Sequence, residues 1–63
     1  MTDGTTRRKE LMKLLQNEMR PLSGTELARH FGVSRQVIVQ DIALLRATDR
    51  NILSTNKGYV LYH

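Results

Sequence analysis

The sequence contains no cysteine and no tryptophan, and among its 63 residues one is proline and three are aromatic. Without cysteine, a disulfide framework and a thiolate metal site are both excluded. The two histidines, His30 and His63, are far apart, and no paired carboxylates complete a metal or acid–base site with them. His30 falls near the end of a predicted helix, where we expect it to interact with terminal carbonyls rather than with a metal. The protein is therefore not expected to be an enzyme.

The chain also has no long apolar run, no signal-peptide pattern, no repeat and no low-complexity segment. These absences predict a soluble cytoplasmic protein without a membrane partner. At this length the chain forms a single domain, which buries only about 60% of its unfolded surface and is marginally stable. A second copy or another domain would add stability.

Acidic residues are the scarcer charged type, with six Asp and Glu against ten Lys and Arg, and the net charge is +4. A positive balance favours polyanionic partners such as nucleic acids. The excess is modest, so it leaves open both an RNA partner and no nucleic acid at all.

Residues 1–6 are polar and are expected to be a loose lead-in. Residues 7–20 have apolar side chains at helical spacing, which predicts a first amphipathic helix. The apolar positions are Leu11, Leu14, Leu15 and Met19. Pro21 ends this helix because its ring restricts the preceding residue and removes a hydrogen-bond donor. Met12 and Met19 are predicted to fill the core beside it.

Three consecutive basic residues, Arg7, Arg8 and Lys9, open the predicted first helix. Their charge opposes the helix dipole, which favours acidic side chains at this end. They could reach phosphates, but a solvated basic face at a frayed helix end is the favoured interpretation.

A helix-turn-helix pattern comes next in the chain. The run SGTE at residues 23–26 has the form of a capping box and predicts a short second helix over 23–31. Gly32 then stands where a chain leaves a helix in a left-handed conformation. Two residues further on, Ser34 is a good N-cap for a third helix over 34–47. Two helices joined by so short a turn containing glycine match the helix-turn-helix signature.

The third helix has two different faces. Ile38, Ile42 and Leu45 recur at steps of four and three and predict a core face. The opposite arc contains no acidic residue; it carries Arg35, Gln36, Val39, Gln40 and Ala43. Arginine can bind guanine, glutamine can bind adenine, and small apolar groups can contact a thymine methyl. We predict base readout by the first four, with packing against another helix or domain as the alternative.

In helix-turn-helix motifs the second helix of the pair enters the major groove and the first crosses the DNA backbone. Thr25 and Ser34 are therefore predicted to contact phosphates as well as to start their helices. Asp41 lies on the flank of the readout helix, where it would repel phosphate. We expect it to turn towards Arg46, Arg50 or the first helix.

The end of the chain predicts a β-hairpin over residues 52–62, which would form a wing. Residues 56–58 form its loop, and Gly58 can adopt the positive φ that the turn requires. Lys57 at the tip is a predicted phosphate contact, although a lone loop lysine can also be simply solvated.

The register of the hairpin stays open. A two-residue loop places Ile52 on the face with Tyr59 and Leu61, whereas a three-residue loop places Leu53 there. In either register the opposite face carries Val60 and Tyr62. A domain this small cannot cover both faces, so we expect one apolar face to contact another surface.

Taken together, the pattern predicts a mainly α fold with a terminal β-hairpin, a winged helix-turn-helix of three helices plus a wing. The segment from Leu22 to Leu61 resembles the winged-helix domain of biotin-repressor-type and related bacterial regulators. Within that group, the runs GTELARHFGVSRQVIVQDIALLRA and ILSTNKGYVL resemble most closely the niacin-responsive repressors of NAD-biosynthesis genes. The run SRQVIVQDI is the most specific part.

Members of that family continue into a ligand-sensing domain named for its three histidines, which is associated with a metal and nicotinic acid. The resemblance implies that this chain is a DNA-binding module without that domain. No cofactor is expected in the chain itself, and nicotinic acid and a divalent metal are implied for the sensing domain alone. The expected partner is a double-stranded DNA operator. If the full-length protein forms a homodimer through the part outside this chain, two-fold symmetry requires this operator to be an inverted repeat.

Two other functions stay open. The same fold could serve as a protein-interaction module, with the neutral face of the third helix as the interface. It could also be the DNA-binding domain of a biotin-ligase-type repressor, which shares the fold and differs in the chain beyond residue 63.

Overall fold

The computed structural model describes residues 3–48 and 51–62. Three helices are followed by two antiparallel strands that form a hairpin. The elements are α1 (Gly4–Asn17), α2 (Gly24–Phe31), α3 (Arg35–Ala47), β1 (Ile52–Thr55) and β2 (Gly58–Leu61). The predicted fold class, a winged helix-turn-helix of three helices plus a hairpin, is confirmed.

The predicted start of the first helix is wrong. α1 begins at Gly4 rather than at residue 7, so residues 4–6 are helical and do not belong to a loose lead-in. Asp3 is the N-cap, because its carboxylate accepts a hydrogen bond from the amide of Thr6 at 2.8 Å. This bond lowers the pKa of the Asp3 carboxyl below its ordinary value. The cap lies ahead of the first apolar residue of the helix, so the apolar periodicity gave no sign of it.

The predicted end of the first helix is also wrong. α1 ends at Asn17 rather than at residue 20, since Glu18 turns to an extended conformation with φ −88° and ψ 131°. Its amide still donates to the carbonyl of Leu14 at 3.0 Å. Met19 therefore lies beyond the helix and is 97% exposed, so its predicted place in the core is wrong. Met12, in contrast, packs against the core as predicted.

The local signals around the second helix are confirmed. Ser23 and Glu26 form the capping box, with the Ser23 hydroxyl accepting from the Glu26 amide at 3.1 Å and the Ser23 amide donating to the Glu26 carboxylate at 3.3 Å. Gly32 follows α2 with φ 67° and ψ 36°. Ser34 then caps α3 by accepting from the amide of Val37 at 3.3 Å. With their caps included, both helices span their predicted ranges.

The core lies where the three helices and the hairpin meet. The buried apolar side chains are Leu11, Leu15, Leu22, Leu27, Ala28, Ile38, Ile42, Leu45 and Ile52. Full burial of one such aliphatic side chain stabilises a fold by about 1.5–3 kcal/mol. The predicted core face of α3 is confirmed, and the opposite face of this helix points away from the protein.

The hairpin adopts the register of the two-residue loop. Ile52 pairs with Leu61 and Thr55 pairs with Gly58, so residues 56–57 form the turn. Ile52 is buried, whereas Leu53 on the other face is 48% exposed and Tyr62 is 60% exposed. One face of the wing completes the core, and the other is an apolar outer surface.

A backbone contact joins the wing to the start of α2. Leu22 donates to the carbonyl of Tyr59 at 3.1 Å, and the amide of Tyr59 donates to the carbonyl of Leu22 at 2.7 Å. Gly58 makes this approach possible, since a Cβ there would lie 2.5 Å from the carbonyl carbon of Leu22. Its φ of 139° also disfavours any other residue. The wing is thereby fixed beside the helix-turn-helix.

The described residues form no helix with the length and apolar character that crossing a membrane requires.

Gly32→Val is expected to lower the Tm, because a side chain in the left-handed region costs roughly 1–2 kcal/mol. A Cβ at Gly32 would meet no atom within 4 Å, so the loss comes from backbone strain and not from a clash. For a domain of this size each kcal/mol shifts the Tm by roughly 4–8 °C. Thermal denaturation monitored by circular dichroism measures the Tm of the variant and of the unchanged chain.

Gly32→Ala should show a smaller loss, and Gly32→Asn is the control because asparagine tolerates this conformation. DNA binding should fall only as far as the folded fraction falls. An unchanged Tm for Gly32→Val would contradict the left-handed turn between α2 and α3.

Candidate nucleic-acid interface

The outward face of α3 carries three of the predicted base-reading residues. Gln36, Val39 and Gln40 are all exposed, on the side of the helix opposite to the buried Ile38 and Ile42. Each residue of a helix is rotated by about 100° from the one before it, so Gln36 and Gln40 stand one turn apart on the same surface. Amide side chains placed in this way can form hydrogen bonds to base edges in a major groove.

Leu44 extends this face and was missed by the sequence reasoning. It follows Gln40 by one turn and is 51% exposed. Its spacing of four residues from Gln40 was the available signal. The C-terminal end of the outward face is therefore more apolar than predicted.

A polar cleft of about 260 Å³ lies beside this face, where the starts of α2 and α3 meet the tip of the wing. It brings together Thr25, Arg35 and Lys57, which the sequence had placed on three separate elements. All three are exposed. Within the described residues no carboxylate lies within 4.0 Å of either cation, so both are free to bind an anion.

Arg35 lies at the boundary between the outward face and the cleft. Its Cγ and Nε are each 3.4 Å from the place where a Cβ on Gly24 would stand, so its side chain packs over the first residue of α2. From there the guanidinium can reach either a base edge or a backbone phosphate. Both are targets that arginine binds through two parallel hydrogen bonds.

The two helix starts add donors to this surface. The first amides of α2, including that of Thr25, have no partner within the helix, and the helix dipole makes this end positive. The Ser34 hydroxyl accepts from the Val37 amide, and its own hydrogen stays free to donate outward. Thr25 lines the cleft and Ser34 caps the start of α3, and their contacts with phosphates stay predictions.

Glu26 is the acidic residue closest to the start of α2, and its charge is compensated. Its carboxylate accepts from Arg20 at 2.9 Å and from the Ser23 amide at 3.3 Å. The Arg20 hydrogen bond, followed by that of the Ser23 backbone, lowers the pKa of Glu26 below its ordinary value. Arg20 and the cap hold this negative charge in place.

Asp41 is turned away from the outward face and towards α1, one of the alternatives that the sequence left open. Its Oδ1 accepts from Arg7 Nη2 at 3.0 Å and from Arg8 Nη1 at 3.2 Å, and its Oδ2 accepts from Arg7 Nε. The carboxylate is 2% exposed. Of the other predicted partners, Arg46 donates to the Ile52 carbonyl at 3.0 Å, and Arg50 lies outside the described residues.

The predicted solvated basic face is consequently wrong for Arg7 and Arg8. Because α1 begins at Gly4, these residues lie beyond its first turn and face the buried carboxylate rather than open solvent. Asp41 raises the pKa of Arg7, mainly by accepting its hydrogen bond. Lys9 is exposed, as predicted.

The wing contributes more polar groups than Lys57 alone. Ser54, Thr55 and Asn56 also line the cleft, and the sequence reasoning did not single them out. The Thr55 hydroxyl donates to the Gly58 carbonyl at 2.7 Å and accepts from the Lys57 amide at 3.2 Å. These two bonds order the turn that carries Lys57. The hydroxyl beside a two-residue turn was the signal for this role.

Of the two histidines, His30 lies within the described residues. His30 lies in the last turn of α2, as expected, with its ring edge-on to Phe31 at 4.7 Å between centroids, and its interaction with the terminal carbonyls stays a prediction. His63 lies outside the described residues. Across residues 3–48 and 51–62, no three side chains of His, Asp or Glu gather into a metal-binding group.

Known proteins provide a separate comparison. A family model described as "HTH domain" matches residues 7–60. The probable transcription repressor NiaR of Thermotoga maritima is 51% identical over 55 residues, covering 87% of this chain and 31% of that protein. The transcription repressor NadR of Bacillus subtilis is 51% identical over 57 residues, covering 90% of this chain and 32% of that protein. The chain thus spans about a third of the length of these curated relatives.

Lys57→Ala is expected to weaken binding to every DNA duplex by a similar factor, because a phosphate contact carries no sequence information. The slope of log K against log salt concentration should become less steep by about 0.9, the value for one lost phosphate contact. Fluorescence anisotropy over a range of salt concentrations measures both quantities.

Lys9→Ala is the matched control, since it removes the same charge from an exposed position of α1 outside the cleft. Equal changes in slope for the two variants would show that net charge, and not the cleft, accounts for the effect.

Proposed function

Because this chain belongs to the HTH domain family, we propose that it is the sequence-specific DNA-binding module of a bacterial transcriptional repressor. It is a helix-turn-helix DNA-binding domain homologous to the repressors NiaR and NadR. The inference that the domain reads a specific sequence rests on one observation. The outward face of α3 presents amides and a guanidinium without a competing acid, since Asp41 is buried against α1.

Each residue of this surface has a proposed role. Arg35 binds guanine, Gln36 and Gln40 bind adenine, and Val39 contacts a thymine methyl. Backbone phosphates are bound by the remaining predicted residues, Thr25, Ser34 and Lys57. These phosphate contacts fix the position of α3 on the duplex, and the base contacts select the sequence.

The regulated genes are proposed to be those of niacin and NAD biosynthesis. Two observations support this: the 51% identity to repressors NiaR and NadR, and the resemblance of the run SRQVIVQDI to niacin-responsive repressors. Nicotinic acid and a divalent metal would act on a sensing domain outside these 63 residues. A regulator of this kind works in the cytoplasm, where bacterial DNA lies.

A protein-interaction surface is a second candidate role, and the wing favours it. Its outer face exposes Leu53 and Tyr62, and Met19 is exposed nearby beside Val60. Salt distinguishes the two roles, because phosphate binding weakens steeply as salt rises whereas an apolar contact does not. The two roles also use different surfaces, so both can belong to one protein.

Replacing Arg35, Gln36 or Gln40 by Ala is expected to cost about 1–3 kcal/mol of binding to the preferred sequence, because each substitution removes a base contact. Binding to unrelated duplexes should barely change. A microarray of duplexes that carries all short sequences identifies the preferred site and gives both affinities.

Lys57→Ala provides the contrasting control, since it should weaken preferred and unrelated duplexes alike. If the α3 variants behaved in the same way as Lys57→Ala, their side chains would be phosphate contacts and the readout assignment would be wrong.

The isolated 63-residue chain is expected to be a monomer that binds one half-site at micromolar or weaker affinity. It lacks the second recognition helix that would raise its effective concentration on an operator. In the full-length homodimer, two-fold symmetry requires an inverted repeat with half-sites about 10–10.5 base pairs apart or a multiple of that. Analytical ultracentrifugation and a half-site titration measure the two properties.

A tight dimer of the isolated chain at micromolar concentration would contradict this. Val60→Ser with Tyr62→Ser would then locate the contact, because a dimer unaffected by this double variant does not form through the outer face of the wing.

A further inference from the structure

The carboxylate of Asp41 is the buried charged group of α3, and the partners that it has among the described residues come from α1. Arg7 donates to both oxygens of this carboxylate and Arg8 donates to one. The Asp41 side chain is 2% exposed, that of Arg7 is 15% exposed and that of Arg8 is 26% exposed. We call these three residues the Asp41 cluster. The cluster joins distant parts of the sequence, because Arg7 and Asp41 are 34 residues apart.

Stability does not explain the Asp41 cluster. Removing a carboxylate and a guanidinium from water costs nearly as much as their attraction returns, and a well-packed apolar pair is often equally stable or more so. The core around Asp41 is aliphatic, with Ile38, Ile42 and Leu45 on the same face of α3. An apolar residue at position 41 would therefore suit its surroundings, so the carboxylate adds something other than net stability.

The Asp41 cluster adds directional hydrogen bonds between α1 and α3. Apolar packing holds α3 through the shape of its side chains, whereas a forked Arg–carboxylate pair adds two hydrogen bonds that are fixed in one geometry. Within the described residues, these hydrogen bonds are the only ones that join α3 to α1. Asp41 lies in the middle of α3, and near the C-terminal end of the helix Arg46 donates a hydrogen bond to the Ile52 carbonyl. The helix is thus held at two points.

The rotation of α3 matters because base readout depends on it. Side-chain tips lie about 5–6 Å from a helix axis, so a rotation of about 15° moves them by roughly 1.5 Å. Binding constellations must be held within about 0.5 Å of their productive geometry. Gln40 adjoins Asp41 in the sequence, and Gln36 stands one turn before Gln40. A rotation of this size would therefore break the paired hydrogen bonds of both glutamines.

We propose that the Asp41 cluster sets the rotation of the recognition helix α3, and that Asp41 is a positioning residue for base discrimination. The inference rests on the proposed readout by Gln36 and Gln40. Asp41 itself contacts no DNA; it acts through α3 from the side of the helix that faces α1.

The main test replaces the ion pair by apolar groups, with Arg7→Met and Asp41→Leu in one chain. This double variant is expected to stay folded with a similar Tm, because the remaining Arg8 side chain is 26% exposed and can be solvated. The ratio of preferred-site to random-duplex affinity should fall by at least about tenfold, because the loss of one good base contact alone has about this effect and the rotation disturbs both glutamines. Affinity for random duplexes and the salt slope should stay unchanged, since the phosphate contacts are intact. The probes are the duplex that the unchanged chain prefers on the microarray and a scrambled duplex of the same composition.

A second variant, Arg7→Lys, keeps the charge but loses the fork. It should fold, bind random duplexes normally and lose discrimination several-fold, because an ammonium is a point charge that does not fix the carboxylate in one orientation. The matched control is Arg20→Met with Glu26→Gln, which removes one charge of each sign from an exposed ion pair and should leave discrimination unchanged.

The outcomes separate this inference from the proposed function. If the unchanged chain shows no preferred sequence, the proposed function fails. If the unchanged chain discriminates and Arg7→Lys discriminates equally well, the positioning role of the Asp41 cluster is overturned. The same conclusion follows if the apolar double variant keeps both its fold and its discrimination. A loss of discrimination in the Arg20 control would equally overturn it, by showing that any ion pair has this effect.

Discussion

The two backbone hydrogen bonds between Leu22 and Tyr59 are the constraint on which the candidate DNA-binding surface depends. An isolated two-stranded hairpin is marginally stable in water, and this contact adds a third backbone segment to it. It also fixes where the wing stands. Because Gly58 has no side chain, the turn that carries Lys57 comes to lie beside Thr25 at the start of α2. The cleft exists only because these two chain segments pack backbone against backbone.

The positions of the charged side chains, more than the net charge, determine the electrostatics of this surface. A net charge of +4 on 63 residues is a modest excess, and many such domains bind no nucleic acid. Here Asp41 is enclosed by Arg7 and Arg8, and Glu26 is held by Arg20 and by its own helix cap. The cations that remain uncompensated around the cleft are on α3 and the wing. A small excess is thereby concentrated where a phosphate backbone would pass.

The sequence predicted best those features that are determined locally. The capping box at Ser23, the left-handed Gly32 and the Ser34 cap each depend on residues within four positions, and all three were predictable. The start of α1 could not be predicted, because the Asp3 cap precedes the apolar pattern that defined the helix. The partner of Asp41 lies 34 residues away, and three alternatives were equally compatible with the sequence. The hairpin register was left open by the sequence, because a two-residue and a three-residue loop fit it equally well, and the structure has the two-residue loop with Tyr59 docked against Leu22.

The same long-range packing separates the two surfaces of the wing. The polar cleft is at the turn, around residues 54–58, whereas exposed Leu53 and Tyr62 lie towards the open end of the hairpin. Strands rise by about 3.3 Å per residue, so Leu53 and the first residue of the turn are about 10 Å apart. A protein surface packed on the outer face of the wing would therefore leave the cleft and the outward face of α3 open. Contact with a sensing domain or a second subunit is compatible with DNA binding because the wing keeps these two surfaces apart.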